Sequence, residues 1–197
     1  MKLTLTGFSA TDDNGQPVSI NGVDSATFTM SAAGSATLAL NSSVKQSSLL
    51  TAGSNDVELG RLDVKAQDDD LLLTDIYFKN ASTGTPLDFS NRINSPKLYY
   101  VDGGAEKLLA NGTMVGSSMV FENIPTDNTI TAGTTKTLVV KAGLNGVLNT
   151  GDLANNLVKL ALYSGYSSAK VGTLDGIRLV SSSNGAVLTS LTPVANV

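Results

Sequence analysis

The chain has 197 residues, of which 41% are hydrophobic and only 15% charged, and its formal net charge is −4. Soluble domains carry about 25% charged residues, so here serine, threonine, asparagine and glycine must keep the surface in water. Cysteine, histidine and tryptophan are absent, which removes disulfide frameworks, thiolate nucleophiles, the common zinc sites and the usual proton carrier near neutral pH.

These absences argue against an enzyme, and an acidic chain without a basic stripe argues against a nucleic-acid partner. No run approaches the roughly 18 apolar residues of a membrane-spanning helix, so no membrane insertion is expected. The opening stretch MKLTLTGFSATDDNG alternates apolar and polar residues, unlike the continuous apolar core of a signal peptide. If the protein is secreted, its signal has been removed or the chain is a segment of something longer.

In chain order, Leu3 and Leu5 alternate with threonines and predict a first strand running toward Phe8. Asn14-Gly15 and Asn21-Gly22 predict tight turns, because Asn-Gly accepts the positive φ angles that hairpins need. Phe28 and Met30 then share one face of a further strand, and SAAGSA (31–36) reads as a small-residue linker before a strand from Ala36 to Leu40.

The stretch Leu50–Lys79 organises the rest. It contains two strand patterns around Asp68-Asp69-Asp70, and its Thr51-Ala52-Gly53 opening recurs as Thr131-Ala132-Gly133 before Leu138, Val140 and Ala142. Apolar phase slips at Gly60-Arg61, as a β-bulge would make it do. The two strands that follow the repeated openings are expected to face one core, and Leu72, Ile76 and Phe78 to share a face.

A loop over residues 81–96 is expected next, followed by a hairpin of Lys97–Val101 with Glu106–Ala110 around Asp102-Gly103-Gly104. Asn111-Gly112 predicts another turn and Met114–Phe121 a single strand. Beyond Asn145-Gly146, strands are expected around Val158–Leu162, Ile177–Val180 and Val187–Leu191, with room for one helical turn in 148–157. Turn dipeptides at intervals of about ten residues and the want of helical periodicity predict an all-β, immunoglobulin-like β-sandwich.

The beginning also resembles the end. Lys2-Leu3-Thr4-Leu5 followed by Gly7-Phe8-Ser9-Ala10 matches Lys159-Leu160-Ala161-Leu162 followed by Gly165-Tyr166-Ser167-Ser168-Ala169. Residues 1–34 therefore read as an additional N-terminal β segment, the end of a preceding repeat or strands that complete a sheet, and 35–197 as the sandwich.

From about Leu38 to Thr192 the order of these pieces resembles immunoglobulin-like repeat domains of bacterial and archaeal cell-surface proteins. The matching residues are Leu50–Gly53 leading to Val57–Gly60, Leu73–Ile76, Lys97–Tyr99, and Ile130–Lys136 leading to Val140–Ala142. The resemblance implies an extracellular structural or adhesive module, as in surface layers, stalks and filaments, with no catalytic residue.

Other motifs each carry a functional and a plainer reading. Asp68, Asp69 and Asp70 could gather around Ca²⁺, which takes six to eight oxygens, or form a solvated turn; the run lacks the spacing of an EF-hand loop. No other cofactor is expected. Asn41, Asn80 and Asn111 satisfy the N-glycosylation pattern. Tyr99, Tyr100, Tyr163 and Tyr166 could stack on sugars or pack into core and rim. Asp69 and Glu58 could do acid–base chemistry only at a working separation.

The expected function is a non-enzymatic structural module of an extracellular, cell-surface layer or filament. Its partners would be further copies of itself or adjacent repeats, with Leu3, Leu5, Phe8, Phe28 and Met30 in the segment that pairs with a neighbour. The alternative is an adhesin or carbohydrate-binding module of a larger secreted protein.

Overall fold

The computed structural model describes residues 10–11, 14–18, 34–41, 43, 51–80, 92–116, 118–126, 128–146, 160–162, 176–188 and 191–192. The chain divides into two compact units, Met1–Ala32 and Ala33–Val197. Within the first, β1 (Ala10–Thr11) pairs antiparallel with β2 (Pro17–Val18). Gly15 at φ 76° turns the chain between them, as its Asn-Gly sequence predicts. Leu3, Leu5, Phe8, Phe28 and Met30 lie outside the described residues, as do Asn21-Gly22 and most of the matched segments at the two ends.

The second unit is an all-β sandwich, with no helix among its described residues. It is built from β3 (Ser35–Leu40), β4 (Val57–Gln67), β5 (Leu71–Asn80), β6 (Ile93–Asp102), β7 (Ala105–Asn111), β8 (Thr113–Val115), β9 (Ser118–Phe121), β10 (Thr135–Leu144), β11 (Leu160–Leu162), β12 (Ile177–Ser181) and β13 (Leu191–Thr192). One sheet runs β13-β3-β4-β10-β6-β7. The other runs β11-β5-β9-β8, with β12 beside β11 on the same edge of β5.

Alternation decides what goes inside. From the first sheet Leu38, Leu62, Val64, Leu98, Leu138 and Val140 point into one buried cluster with Leu71, Leu73, Ile76, Phe78, Met119 and Phe121 of the second. Phe78 and Phe121 meet edge to face, their ring centres 6.2 Å apart at 84°. Removing such surface from water, at about 25 cal/mol per Å², is what holds the two sheets together.

The repeated Thr-Ala-Gly motif makes the same turn twice. Ser54 N–H donates to Thr51 O at 3.2 Å and Thr134 N–H to Thr131 O at 2.9 Å, with Gly53 and Gly133 at φ 79° and 77°, the arrangement of a type II turn. β4 and β10 are antiparallel neighbours, so the two turns cap opposite ends of the pair. Gly133 N–H donates to Ala66 O at 3.0 Å, and Gly53 N–H to Asn145 O at 3.3 Å. A local two-fold relation thus joins the strands that the motif introduces.

Four sequence expectations need correction. Leu72 does not share a face with Ile76 and Phe78: β12 pairs Arg178 with Asp75 but Leu179 with Leu73, so Thr74 is an extra residue that flips the phase. Leu71 and Leu73 enter the core instead. The loop expected up to Pro96 ends earlier, since β6 begins at Ile93. Pro96 fits within this strand because its carbonyl accepts Gly112 N–H at 2.7 Å and its missing donor is not needed there.

Asn111-Gly112 is not a turn. β7 runs through it into β8 and so passes from one sheet to the other; Gly112 is required because a Cβ there would lie 2.6 Å from the Phe121 ring. Met114–Phe121 is a hairpin of β8 and β9 around Gly116 at φ 56°. Two other expectations match. The bulge near Gly60 falls at Leu59, skipped between Val140↔Gly60 and Lys141↔Glu58. Gly103 and Gly104, at φ 58° and 87°, make the two-residue turn of the β6–β7 hairpin.

The outer face of the five-stranded sheet is not uniformly polar. Tyr77 and Val120 point away from the inter-sheet core yet are 0% and 3% exposed, so both faces are out of solvent there. The Tyr77 hydroxyl donates to Glu122 Oε1 at 3.0 Å, which satisfies its polar end.

Candidate functional site

The features that could carry function lie at the ends, edges and outer faces of the sandwich. At one end, Asp68, Asp69 and Asp70 form the β4–β5 turn, with Asp68 at φ 66°. Asp69 accepts the Ser181 hydroxyl and, at 2.8 Å, the Ser183 hydroxyl. Those two hydrogen bonds, Ser181 first, hold its carboxyl below the ordinary aspartate value. Asp70 Oδ1 accepts Ala132 N–H at 2.8 Å and Asp70 O accepts Ser182 N–H at 2.8 Å.

Gly34 packs against this turn so closely that a Cβ would meet Asp69 Cβ at 2.8 Å and Gln67 O at 3.1 Å. The aspartates thus tie together the start of β3, the end of β12 and the loop before β10. Among the described residues no group of three acidic side chains is placed to hold a metal ion together. Glu58 stands near the opposite end of β4, an eleven-residue strand that spans about 33 Å at strand rise. Glu58 and Asp69 are therefore not an acid–base pair.

The outer face of the six-stranded sheet carries an ion-pair chain that sequence reading missed. Arg61 donates to both oxygens of Glu58, at 2.9 and 2.8 Å, and to Glu106 at 2.9 Å, and Lys141 pairs with the other oxygen of Glu106. The Glu58 hydrogen bond leads the causes that raise the Arg61 pKa. The period-2 spacing of Arg61, Asp63 and Lys65 was the available signal for this polar face. Which charges would meet across β10 and β6 depends on strand order, which spacing does not reveal.

Tyr99 and Tyr100 each carry a lysine beside the ring: Lys141 Nζ lies 5.3 Å from the Tyr99 ring centre and Lys136 Nζ 4.6 Å from that of Tyr100, which also packs against the core. Each cation occupies a ring face. Tyr163 and Tyr166 are outside the described residues. A second missed cluster lies by the bulge in β5, where buried Asp75 accepts Asn123 N–H at 3.1 Å and has Arg178 Nη1 3.7 Å away.

The three glycosylation candidates differ. Asn41 donates its amide to Asp63 Oδ1 and Oδ2 at 2.9 and 3.0 Å and accepts Ser43 N–H at 3.0 Å. Asn80 ends β5 opposite Leu160. Asn111 is exposed at the end of β7.

The outer strands also differ. β7 carries exposed Leu108, but it bears Glu106 and Lys107 and has a bulge at Leu109, between the pairs Leu98↔Ala110 and Tyr99↔Leu108. Charge and bulge both discourage edge-to-edge association. At the opposite edge β13 lies parallel to β3, pairing Leu191 with Ala36 and Thr192 with Thr37. No protein-family model, curated protein or solved structure matches the chain.

Proposed function

We propose that this chain is a non-enzymatic structural module of an extracellular surface layer or filament, related in kind to immunoglobulin-like surface repeats. Neighbours join through strand pairing, with the segment Lys2–Ser31 as donor. The observation that carries this reading is the parallel pairing of β3 with β13. The first and last of the described strands of the sandwich run the same way, so the chain passes along the unit from one end toward the other, which suits a module in a linear array.

Two further features support this reading. The polar outer face of the six-stranded sheet pairs its charges internally, and the sequence has neither histidine nor cysteine for chemistry. Negative-stain electron microscopy of the purified chain across a concentration series tests it. Fibres or sheets are expected from the whole chain, and isolated particles once Lys2–Ser31 is deleted. A whole chain that stays monomeric, or a truncated one that assembles identically, overturns the proposal.

A further inference from the structure

We infer that the sandwich carries tension along its chain axis, with the β13–β3–β4 ladder as the load path. The setting rests on the modular reading; the mechanics follow from the strand directions alone. β3 runs from the Asp68–Asp70 end toward Leu40, and β13 starts from that same end and runs the same way. A pull on the two chain ends therefore draws β3 and β13 in opposite directions along their length.

In the parallel β13–β3 pair the hydrogen bonds run slantwise between the strands, so a pull along the strands loads them in shear and they resist together. In a peeled antiparallel pair, by contrast, both chain ends leave from one end and the bonds break one after another. β3 is also held to β4 through six consecutive pairs, Ser35↔Gln67 to Leu40↔Leu62, without a bulge. Its leading end is wedged at Gly34 against Gln67 and Asp69, and Asp69 is fastened to Ser181 and Ser183. Among the described residues the two-residue β13 contact is the shortest link, and it is expected to release first.

Forced unfolding reports the unfolding rate and the barrier along the pull, so loading direction is the discriminating variable. The whole chain is stretched in optical tweezers by its two ends, and separately between its N-terminus and a single cysteine introduced as Gln67→Cys. The chain has no cysteine of its own, so the attachment is unique. The second tether peels β3 from β4, because Ser35 and Gln67 are partners at the same end.

The sandwich, identified by its released length, is expected to rupture at no less than twice the force in the end-to-end geometry. Leu191→Pro/Thr192→Pro, which removes the β13 donors, is expected to halve the end-to-end value and leave the Gln67 tether unchanged. Equal rupture forces in the two geometries overturn the inference, as does an end-to-end force indifferent to the proline pair. If the prolines prevent folding, the comparison of geometries in the unaltered chain decides. Failure to form fibres or sheets would sink the assembly reading without touching this ratio.

Discussion

Asn41 holds both carboxylate oxygens of Asp63, at 2.9 and 3.0 Å, while Thr137 donates to one of them at 2.6 Å. The end of β3 is thereby fastened to β4 and β10 at a half-buried position. Hydrogen bonds to a charged partner contribute more than neutral ones, and partial exposure reduces that gain. Asn41→Ala is expected to cost about 1–2 kcal/mol, read as a lower urea midpoint with an unchanged m-value.

The same bonds bear on glycosylation. A sugar on the Asn41 nitrogen would displace an N–H that holds Asp63, whereas Asn111 is exposed. In a host that glycosylates asparagine, peptide mapping of folded protein should find Asn111 occupied ahead of Asn41. The reverse order would contradict the role assigned to Asn41.

Gly53 and Gly133 take matching φ angles of 79° and 77°, and a methyl group added at either site would have nothing within 4 Å. Alanine would therefore meet only backbone strain, about 1–2 kcal/mol per left-handed residue. The two turns cap opposite ends of β4 and β10, so the double variant should show additive losses in chemical denaturation.

Gly112 presents the opposite case. Its constraint is the Phe121 ring, 2.6 Å from an added Cβ, so Gly112→Ala overpacks the core at a cost of about 1–3 kcal/mol. Phe121→Ala should cost about 3–5 kcal/mol. In the combined variant the clash disappears, and thermal melts should show it less destabilised than the sum of the singles.

Asp69 supplies a pH dependence. Its folded pKa is lowered, first by Ser181 and then by Ser183, so the stability it contributes is present above the unfolded aspartate value and is lost as pH falls through the folded one. Ser181→Ala should flatten the acid side of the stability–pH curve, measured by denaturation at stepped pH. An unchanged acid limb would show that this carboxyl is not linked to folding.

Much of this architecture was legible in the order of residues alone. The Thr-Ala-Gly repeat located β4 and β10, and Asp102-Gly103-Gly104 marked the β6–β7 hairpin, because turn chemistry is local. What failed was long-range. Asn111-Gly112 reads as a turn from its own residues, and only the position of Phe121 explains why glycine stands there in a continuing strand. The shift of Leu72 out of the core depends on the β12 register at Thr74, which no window of sequence contains. The polar sites were least legible: Arg61 and Glu106 meet across two intervening strands, and the aspartate run reveals its use only once Ser181 and Ser183 are brought beside it.

The passage of β7 into β8 at Gly112 has a dynamic consequence. A single uninterrupted backbone stitches the two layers along one side, so they cannot glide past each other or gape there without breaking the hydrogen bond from Gly112 N–H to Pro96 O. Slow breathing of the sandwich should be confined to the far side, and amide exchange should be slower beside Gly112 than along the β3 margin.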